Sequence, residues 1–408
     1  ASEMSLTLIS VCGRVCGGVS RKVATSEPCV LLQSIGSVHS RLQLNPTVSN
    51  IIGNSSSSSS KRWQSTLAAL DRELVEHALQ LDAETSHSNP FHFEVLHEST
   101  KSNARVGKIH TPHGVIDTPT YVPVATNAVI KGADILSTEV DDADLVFCNT
   151  YHLLLQPGTE IVDGAGGLHK FTGRKKPIIT DSGGFQVFSL QAGAMDLDSN
   201  AGLKGAGSKK RPSLVLGVDD DGVRFRSYID GSVLQLTPES SVQAQKSFAA
   251  DIIIPLDELL PYSVTKEQEI RSFQRTHEWE TRSLIEHLKD RRGQAMYSVV
   301  HGGVDVDLRS ESVSYLSQLP FDGVAIGGSF GQNKSDLAAM LATLGPQLPR
   351  RLPIHLLGIG DMSSINAGVQ VGIDTFDSCY PTRLGRHGSA LTADGSVMDL
   401  RKIKFAKT

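Results

Sequence analysis

The sequence lacks any long hydrophobic run and any excess of positive charge. No apolar stretch approaches the roughly 20 residues that a transmembrane helix needs, which argues against a membrane-spanning protein. The formal net charge is −5 at pH 7. Bulk electrostatics therefore does not indicate a nucleic-acid partner, and any RNA contact must come from local basic clusters.

Cysteine is also scarce, with five residues in a chain of 408. Cys12, Cys16 and Cys29 lie near the N-terminus, and Cys148 and Cys379 are far apart. Neither a disulfide framework nor a zinc ligand set can be built from this spacing, so the sequence predicts no metal site and a reducing compartment. The remaining composition, 39% hydrophobic and 20% charged, is typical of a soluble globular protein with a sizeable core.

The first 65 residues differ in composition from the rest of the chain. Their basic residues (Arg14, Arg21, Lys22, Arg41, Lys61 and Arg62) face only Glu3 and Glu27, and serine fills positions 55–60. This basic, serine-rich and acid-poor pattern predicts a disordered transit peptide over residues 1–65 and a mitochondrial location. The alternative is an unstructured tail that carries no targeting signal, on a cytoplasmic protein.

Residues 66–92 are interpreted as a helix and a linker, with an amphipathic helix over 67–81 and a polar link near 84–89. From residue 93 the pattern changes to strands alternating with helices. Residues 105–110 and 115–117, joined across His113 and Gly114, predict a short β-hairpin.

Eight short apolar runs follow the hairpin, and helical stretches separate many of them. The runs are 120–124, 145–149, 177–181, 252–257, 296–301, 324–327, 354–358 and 375–377, and the helical stretches include 238–249, 266–289 and 334–344. This order predicts the α/β class and a (β/α)₈ TIM barrel over residues 93–408, a fold of about 250 residues. A doubly wound open sheet is the alternative. Residues 192–212, rich in Gly, Ser and Asp, predict a solvated loop, whose basic end (Lys209, Lys210 and Arg211) is the alternative RNA contact.

Polar residues end most of the predicted strands. They are Asn149, Asp181, Asp257, His301, the pair Gly327-Gly328, Gly358 and Asp377. In a barrel these ends converge on one face, where catalytic groups collect. A solvated residue at the start of a loop is the alternative for each one taken alone.

The segment Thr180 to Gln186 contains the most specific local pattern. Gly183 and Gly184 allow the backbone to approach a planar ligand closely, and Phe185 offers a ring on which a base could stack. The alternative interpretation is a tight turn followed by a core phenylalanine.

Three segments resemble the signature motifs of the tRNA-guanine transglycosylase family. They are 181–189 (DSGGFQVFS), 149–153 (NTYHL) with Pro157 and Gly158, and Phe376-Asp377 followed by Pro381, Thr382 and Arg383. Shorter pieces follow in family order at 123–124, 131–132, 236–239 and 325–328. The resemblance covers about residues 93–405, and it implies a TIM barrel and a queuine tRNA-ribosyltransferase, which is a pentosyltransferase.

The resemblance implies base exchange at wobble position 34 of tRNAs with a G-U-N anticodon, those for His, Asn, Asp and Tyr. A carboxylate attacks the anomeric carbon of the ribose and guanine leaves. The incoming queuine base then displaces the enzyme from a covalent intermediate. The target nucleotide must leave its stack for this carbon to be reached.

Roles for individual residues follow from the same resemblance. Asp377 is the nucleophile, Asp181 the general acid/base, and Asn149 orients the nucleophile. The base pocket comprises Ser182, Gly183, Gly184, Phe185, Asp257, His301 and Gly328, with Asp257 reading the Watson–Crick edge of the base. The tRNA contacts are Gly358, Ile359, Gly360, Asp361, Met362, Ser363, Ser364, Thr382, Arg383, Leu384, Gly385 and Arg386, in which the two arginines flank the anticodon loop.

The sequence departs from the family pattern at several points. His301 stands where the family has Gln, so base recognition is expected to differ, or else His301 supports the site from behind. Leu384 and Gly385, between the two arginines, also differ from the usual pair. Gly331 resembles the small residue of eukaryotic members, which favours queuine over its smaller bacterial precursor.

The family's barrel continues into a zinc subdomain, with a C-x-C-x-x-C motif and a distant His, that helps dimerisation and tRNA docking. Its ligands are absent from the sequence up to Thr408. Either the sequence is truncated or the module is lost. In either case we expect the 408-residue chain to fold as a barrel but to exchange bases poorly by itself. Adding the missing C-terminal residues, or a related subunit in a homo- or heterodimer, is expected to raise its affinity for tRNA.

Two other function classes remain open at this point. One is a non-catalytic homologue that serves as the scaffold partner of a catalytic subunit. Retention of Asp181, Asp257 and Asp377 favours the enzyme, whereas His301 and the missing zinc module favour the scaffold. The other class is a barrel glycosidase acting on sugars, which would need carboxylates without the Gly-Gly-Phe segment and the arginine pair.

Overall fold

The computed structural model of the protein describes residues 72–85, 90–133, 143–191, 214–260, 264–331, 333–392 and 394–402. The predicted transit peptide and the predicted loop over 192–212 lie outside these ranges. Within them, no helix combines the length and the apolar character that crossing a membrane requires.

Eight parallel strands form the central barrel. In chain order they are β4 (Thr120–Pro123), β5 (Val146–Cys148), β6 (Ile178–Thr180), β10 (Ile252–Ile253), β11 (Ala295–Val300), β12 (Gly323–Ile326), β13 (Ile354–Leu356) and β14 (Thr375–Ser378). Each strand pairs with the next one along the chain, and β14 returns to pair with β4. A parallel bridge between Val124 and Phe147 joins β4 to β5 and closes the ring. The predicted TIM barrel is confirmed, with all eight strands at the predicted places.

Helices cover the outside of the barrel. They are α2 (Thr150–Leu155), α3 (Thr159–Gly164), α4 (Leu168–Thr172), α5 (Gly184–Gln191), α6 (Pro238–Phe248), α7 (Lys266–Leu288), α8 (Val306–Leu316), α9 (Lys334–Leu344), α10 (Met362–Val371) and α11 (Tyr380–Arg386). Local sequence explains several starting points. Thr237 and Thr265 each form a capping box at the start of α6 and α7, and the Asp361 side chain accepts the backbone N–H of Ser364 at the start of α10.

A three-stranded antiparallel sheet closes the N-terminal end of the barrel. It consists of β1 (His92–Glu98), β2 (Arg105–Thr111) and β3 (Gly114–Thr118), so the predicted hairpin gains a third strand. Ile109 and Ile116 on this sheet pack with the apolar side chains inside the barrel. The buried Arg105 guanidinium also donates to both oxygens of the Asp374 carboxyl, at 2.9 and 2.5 Å.

A second antiparallel sheet is inserted between β6 and α6, in a part of the chain for which the sequence predicted no strand. Its strands are β7 (Val215–Val218), β8 (Val223–Arg226) and β9 (Val233–Leu236). The sheet packs on α7, since the Trp279 indole N–H donates to the Asp220 carbonyl at 2.8 Å and Arg275 pairs with the Asp220 carboxyl at 3.1 Å. Near the C-terminus a small hairpin joins β15 (Ser389–Leu391) and β16 (Val397–Asp399).

The helix expected over residues 67–81 is described as α1 (Arg72–Thr85). It ends later than predicted and includes the first two residues of the predicted link. Ala78 of α1 is fully buried in the main core, and Asp82 pairs with Arg291, just beyond α7. This helix therefore packs on the barrel rather than standing apart from it.

Candidate active site

Asp181, Asp257 and Asp377 all lie at or just beyond the C-terminal ends of barrel strands. Asp181 follows β6, Asp257 lies a few residues beyond β10, and Asp377 is the third residue of β14. Parallel strands that close into a ring bring these ends to one mouth, which is where the active sites of this fold are found. Phe185, at the start of α5, is 47% exposed and thus belongs to the surface of this mouth rather than to the core.

Asp181 is buried, and four groups donate hydrogen bonds to its carboxyl. Oδ1 accepts the backbone N–H groups of Thr150 at 2.7 Å and Gly183 at 3.1 Å. Oδ2 accepts the side-chain amides of Asn149 at 2.6 Å and Gln186 at 3.0 Å. Burial nevertheless raises the pKa of Asp181 to about 6, because loss of hydration outweighs the four hydrogen bonds that favour the charge. Asp181 can therefore hold or release a proton near neutral pH.

Asn149 does not contact the Asp377 carboxyl, so its predicted role in orienting the nucleophile is wrong. Its amide is hydrogen-bonded to Asp181 because Asn149 follows β5, the direct neighbour of β6 in the barrel. Asp377 belongs to β14, which is separated from β5 by β4.

His355, in the middle of β13, is the side chain that contacts Asp377. Its Nε2 lies 3.0 Å from Asp377 Oδ1, and its Nδ1 lies 2.7 Å from the Thr375 hydroxyl. A charged carboxylate can only accept, so Nε2 carries the proton and Nδ1 accepts from Thr375. The ring is fully buried and stacks on Phe147 inside the barrel. Sequence reasoning missed His355, and the only signal was a polar ring between two apolar strand residues.

One carboxyl oxygen of Asp377 is hydrogen-bonded within the protein, and the other is available to a ligand. Oδ1 accepts both His355 Nε2 and the backbone N–H of Gly358, the latter at 2.9 Å. Among the residues that the structure describes, none donates a hydrogen bond to Oδ2. The carboxyl is thus held in place through one oxygen, while the other keeps its lone pairs for a ligand.

Asp257 lies beside Ser182 and His301. The Ser182 hydroxyl is 3.5 Å from Asp257 Oδ1, and His301 Nε2 is 2.9 Å from Oδ2, although the direction is not that of a hydrogen bond. A Cβ built on Gly328 would come within 3.3 Å of the His301 ring, so these predicted base-pocket residues are close neighbours. His301 is buried and presents a nitrogen without a hydrogen-bond partner beside a carboxylate.

The two glycines after Ser182 allow this loop to pack closely. Gly183 has φ of +86°, and a Cβ there would come within 3.1 Å of the Tyr151 backbone. A Cβ on Gly184 would meet the Asp257 carbonyl at 2.9 Å. The glycines therefore allow the loop after Asp181 to pack against the segment that contains Asp257. They also leave room for a planar ligand.

A cavity of about 250 Å³ adjoins His301 and Gly328. Its wall also includes Glu258, Phe273 and Val304, so it combines apolar and acidic surface. Gly331, which the sequence linked to a preference for queuine, is not part of this wall. That glycine has φ of +95°, and a Cβ on it would meet Asp336 at 2.4 Å, so local packing alone requires glycine there.

The predicted tRNA-contacting segments lie on the same side of the barrel, after β13 and β14. Residues 358–364 form the loop and the first turn of α10, and Lys334 donates to the Asp361 carboxyl at 2.6 Å. Residues 382–386 belong to α11, in which no side chain is fully buried. Arg383 is half-buried and Arg386 is exposed.

A barrel mouth that combines a proton-holding carboxyl with a second carboxyl keeping one oxygen available has the groups of a glycosyl-transferring enzyme.

Comparison with known proteins identifies the family within this class of enzymes. The family model described as Queuine tRNA-ribosyltransferase matches residues 99–408. A protein of Protochlamydia amoebophila (strain UWE25) named queuine tRNA-ribosyltransferase is 54% identical over 316 residues, which are 78% of this chain and 80% of that protein. One of the same name from Chlamydia caviae is 52% identical over 305 residues, 75% of this chain and 80% of that protein. The chain belongs to the queuine tRNA-ribosyltransferase family.

Proposed function

We propose that this protein is a tRNA-guanine transglycosylase, a pentosyltransferase that replaces guanine at wobble position 34 of G-U-N anticodon tRNAs by queuine. Family membership supports the transferase activity on tRNA. The observation that carries the catalytic proposal is the pair formed by Asp377, with an available oxygen, and Asp181, with a pKa of about 6.

In the first half of the reaction, Asp377 Oδ2 attacks the anomeric carbon of the ribose. A carbon–oxygen bond forms, the bond from that carbon to guanine breaks, and the electron pair leaves with the base. Protonated Asp181 supplies the proton that neutralises the departing guanine. His355 and the Gly358 N–H hold Asp377 through Oδ1 while this takes place.

In the second half, the incoming base attacks the same carbon and restores the Asp377 carboxylate. Asp181, now ionised, accepts the proton that the base loses, which returns the enzyme to its starting state. Two displacements at one carbon retain the configuration of the ribose.

Asp257 reads the base in this proposal. Its carboxylate accepts from the ring N–H and the amino group that guanine and deazaguanines share on their Watson–Crick edge. Ser182 and His301 lie beside it, at 3.5 and 2.9 Å from its two oxygens. The queuine preference is supported by the names of the relatives and by the cavity next to Gly328, which leaves space for a substituent on the base.

The alternative, a non-catalytic scaffold homologue, is not favoured. Both carboxyls are present with their supporting hydrogen bonds, and the relatives that match most of the chain are named as ribosyltransferases. A dimeric assembly, the choice among anticodons and a mitochondrial location remain predictions from the sequence.

The test is incorporation of radiolabelled guanine into tRNA. We expect label in a transcript with a G-U-N anticodon and none in the same transcript carrying adenosine at position 34. Unlabelled queuine added afterwards should release the label. A folded protein that binds the first transcript but incorporates no label would contradict the proposal and support the scaffold.

A further inference from the structure

The end of the barrel opposite the active site holds a cluster that the transglycosylase reaction does not use. His113 lies in the turn between β2 and β3, His169 in α4, and Asp251 immediately before β10. These residues come from the closing sheet, the outer helices and the barrel itself. One donor atom of each lies within 4.8 Å of the others.

The distances suit a small divalent ion. His113 Nδ1 is 2.7 Å from Asp251 Oδ1, and His169 Nε2 is 3.2 Å from Asp251 Oδ2. Zinc bonds of about 2.0–2.1 Å place neighbouring ligand atoms about 3.3 Å apart in a tetrahedral site. Two imidazoles and one carboxylate also form a recurrent zinc ligand set, with a fourth position left for water.

The hydrogen bonding of His169 points independently to a missing ligand. Its side chain is 9% exposed, and among the residues that the structure describes neither ring nitrogen has a hydrogen-bond partner, since the 3.2 Å contact with Asp251 lacks hydrogen-bond geometry. A buried polar atom without a partner costs about 1–3 kcal/mol. An ion at Nε2 would remove part of this cost.

Asp251 is already fixed for such a role. Its side chain is fully buried, and Oδ2 accepts the backbone N–H of Ile178 at 2.8 Å while Oδ1 accepts that of His113 at 3.2 Å. The two imidazole rings are stacked at 3.5 Å, so one of them must rotate before both lone pairs meet at one ion. His113 can do so because its side chain is 41% exposed, and the same exposure admits the ion and its water.

We propose that His113, His169 and Asp251 bind one zinc ion, which fastens the closing sheet to the N-terminal end of the barrel. The site is separate from the base-exchange chemistry, which lies at the other end of the strands.

The test is zinc binding by the whole 408-residue protein after chelator treatment, measured by equilibrium dialysis and elemental analysis. His113→Ala is the main variant because its exposed side chain can be removed with little effect on folding. His169→Ala is the second, and His97→Ala, on the exposed face of β1, is the matched control. Cobalt(II) serves as the spectroscopic probe, since thiolate ligands and nitrogen or oxygen ligands give different absorption bands.

We expect one zinc per chain in the unmodified protein and in His97→Ala. Affinity should fall at least about tenfold in His113→Ala and His169→Ala, the smaller end of what disturbing a zinc site costs. Cobalt should show no thiolate band. The proposal would be overturned if the unmodified protein fails to retain zinc, or if His113→Ala binds zinc equally well. The three residues would then form a hydrogen-bonded cluster without a metal. Base exchange can succeed or fail independently of either result.

Discussion

At the residue scale, two opposing effects act on the pKa of Asp181. Four donors converge on its carboxyl, yet burial still raises its pKa to about 6. A carboxyl with a raised pKa is protonated below that value and ionised above it. The group is thus an acid in the first half of the exchange and a base in the second, as the two displacements require.

The pH dependence of the two halves should therefore be opposite. Formation of the covalent RNA adduct needs protonated Asp181, so we expect its rate to fall roughly tenfold per pH unit above about 6. Capture of the adduct by free base needs ionised Asp181, so its rate should rise from pH 5 to about 6 and level off above that. Rapid-quench measurement of each half between pH 5 and 8 tests this. An Asp181→Asn variant that keeps both pH limbs would assign them to another group.

Residue-scale predictions from the sequence succeeded where a residue type and a strand end coincided. Asp181, Asp257 and Asp377 were placed at the barrel mouth for this reason. His355 was missed because a single histidine between Ile354 and Leu356 is more often a core residue than a positioning residue. The resemblance assigned Asn149 to the nucleophile, whereas the order of the barrel strands places its amide beside Asp181.

At the element scale, Arg309 of α8 connects two loops of the candidate site. Its guanidinium donates to the carbonyls of Val300, Gly303 and Ser329, at 2.7, 2.9 and 2.9 Å. The side chain is fully buried, and within the described part of the chain no carboxylate pairs with it. Burial lowers its pKa to about 9, which still leaves it charged at neutral pH. It holds the loop after β11, which contains His301, against the loop after β12, which contains Gly328.

Replacing Arg309 by Met should destabilise the protein and loosen the base pocket. Three buried carbonyls lose their donor, so we expect the free energy of unfolding to fall by about 3 kcal/mol. The KM for the free base should rise more than kcat falls, because the groups that contact the ribose are untouched. Arg271→Met, at an exposed position of α7, is the matched control and should stay within about 0.5 kcal/mol of the unmodified protein in urea. Equal stability of the two variants would show that the loops do not depend on this contact.

At the element scale, strands with a strong local hydrophobic pattern were predicted from the sequence, and strands with a weak pattern were missed. The eight barrel strands were found because buried parallel strands are continuous apolar runs. β1 was missed because nearly all of its residues are exposed, which leaves no apolar face. β7 to β9 were missed because exposed residues interrupt each of them, so none is a continuous apolar run. Asp221-Gly222 between β7 and β8 is nevertheless a recognised hairpin signal.

On the scale of the whole molecule, the barrel divides into two ends with different roles. The C-terminal mouth carries the carboxyls, the cavity and the arginine-bearing helix α11. The N-terminal end is closed by a sheet that packs Ile109 and Ile116 into the barrel and pairs Arg105 with Asp374. The sequence predicted the mouth from residue types at strand ends. It could not predict the Arg105–Asp374 contact, because this pair joins positions 269 residues apart.

The central claim is that Asp377 forms a covalent bond to the ribose of the target nucleotide. The most direct measurement is a denaturing gel of protein mixed with labelled G-U-N anticodon tRNA without free base. We expect a slow-migrating adduct with the unmodified protein that disappears when queuine is added. Asp377→Asn should give none, because a neutral amide is not a nucleophile here. Asp399→Asn is the matched control and should give the normal amount, since this half-buried carboxylate of β16 pairs with Arg401 away from the barrel strands. An undiminished adduct from a folded Asp377→Asn protein would contradict the account and place the nucleophile elsewhere.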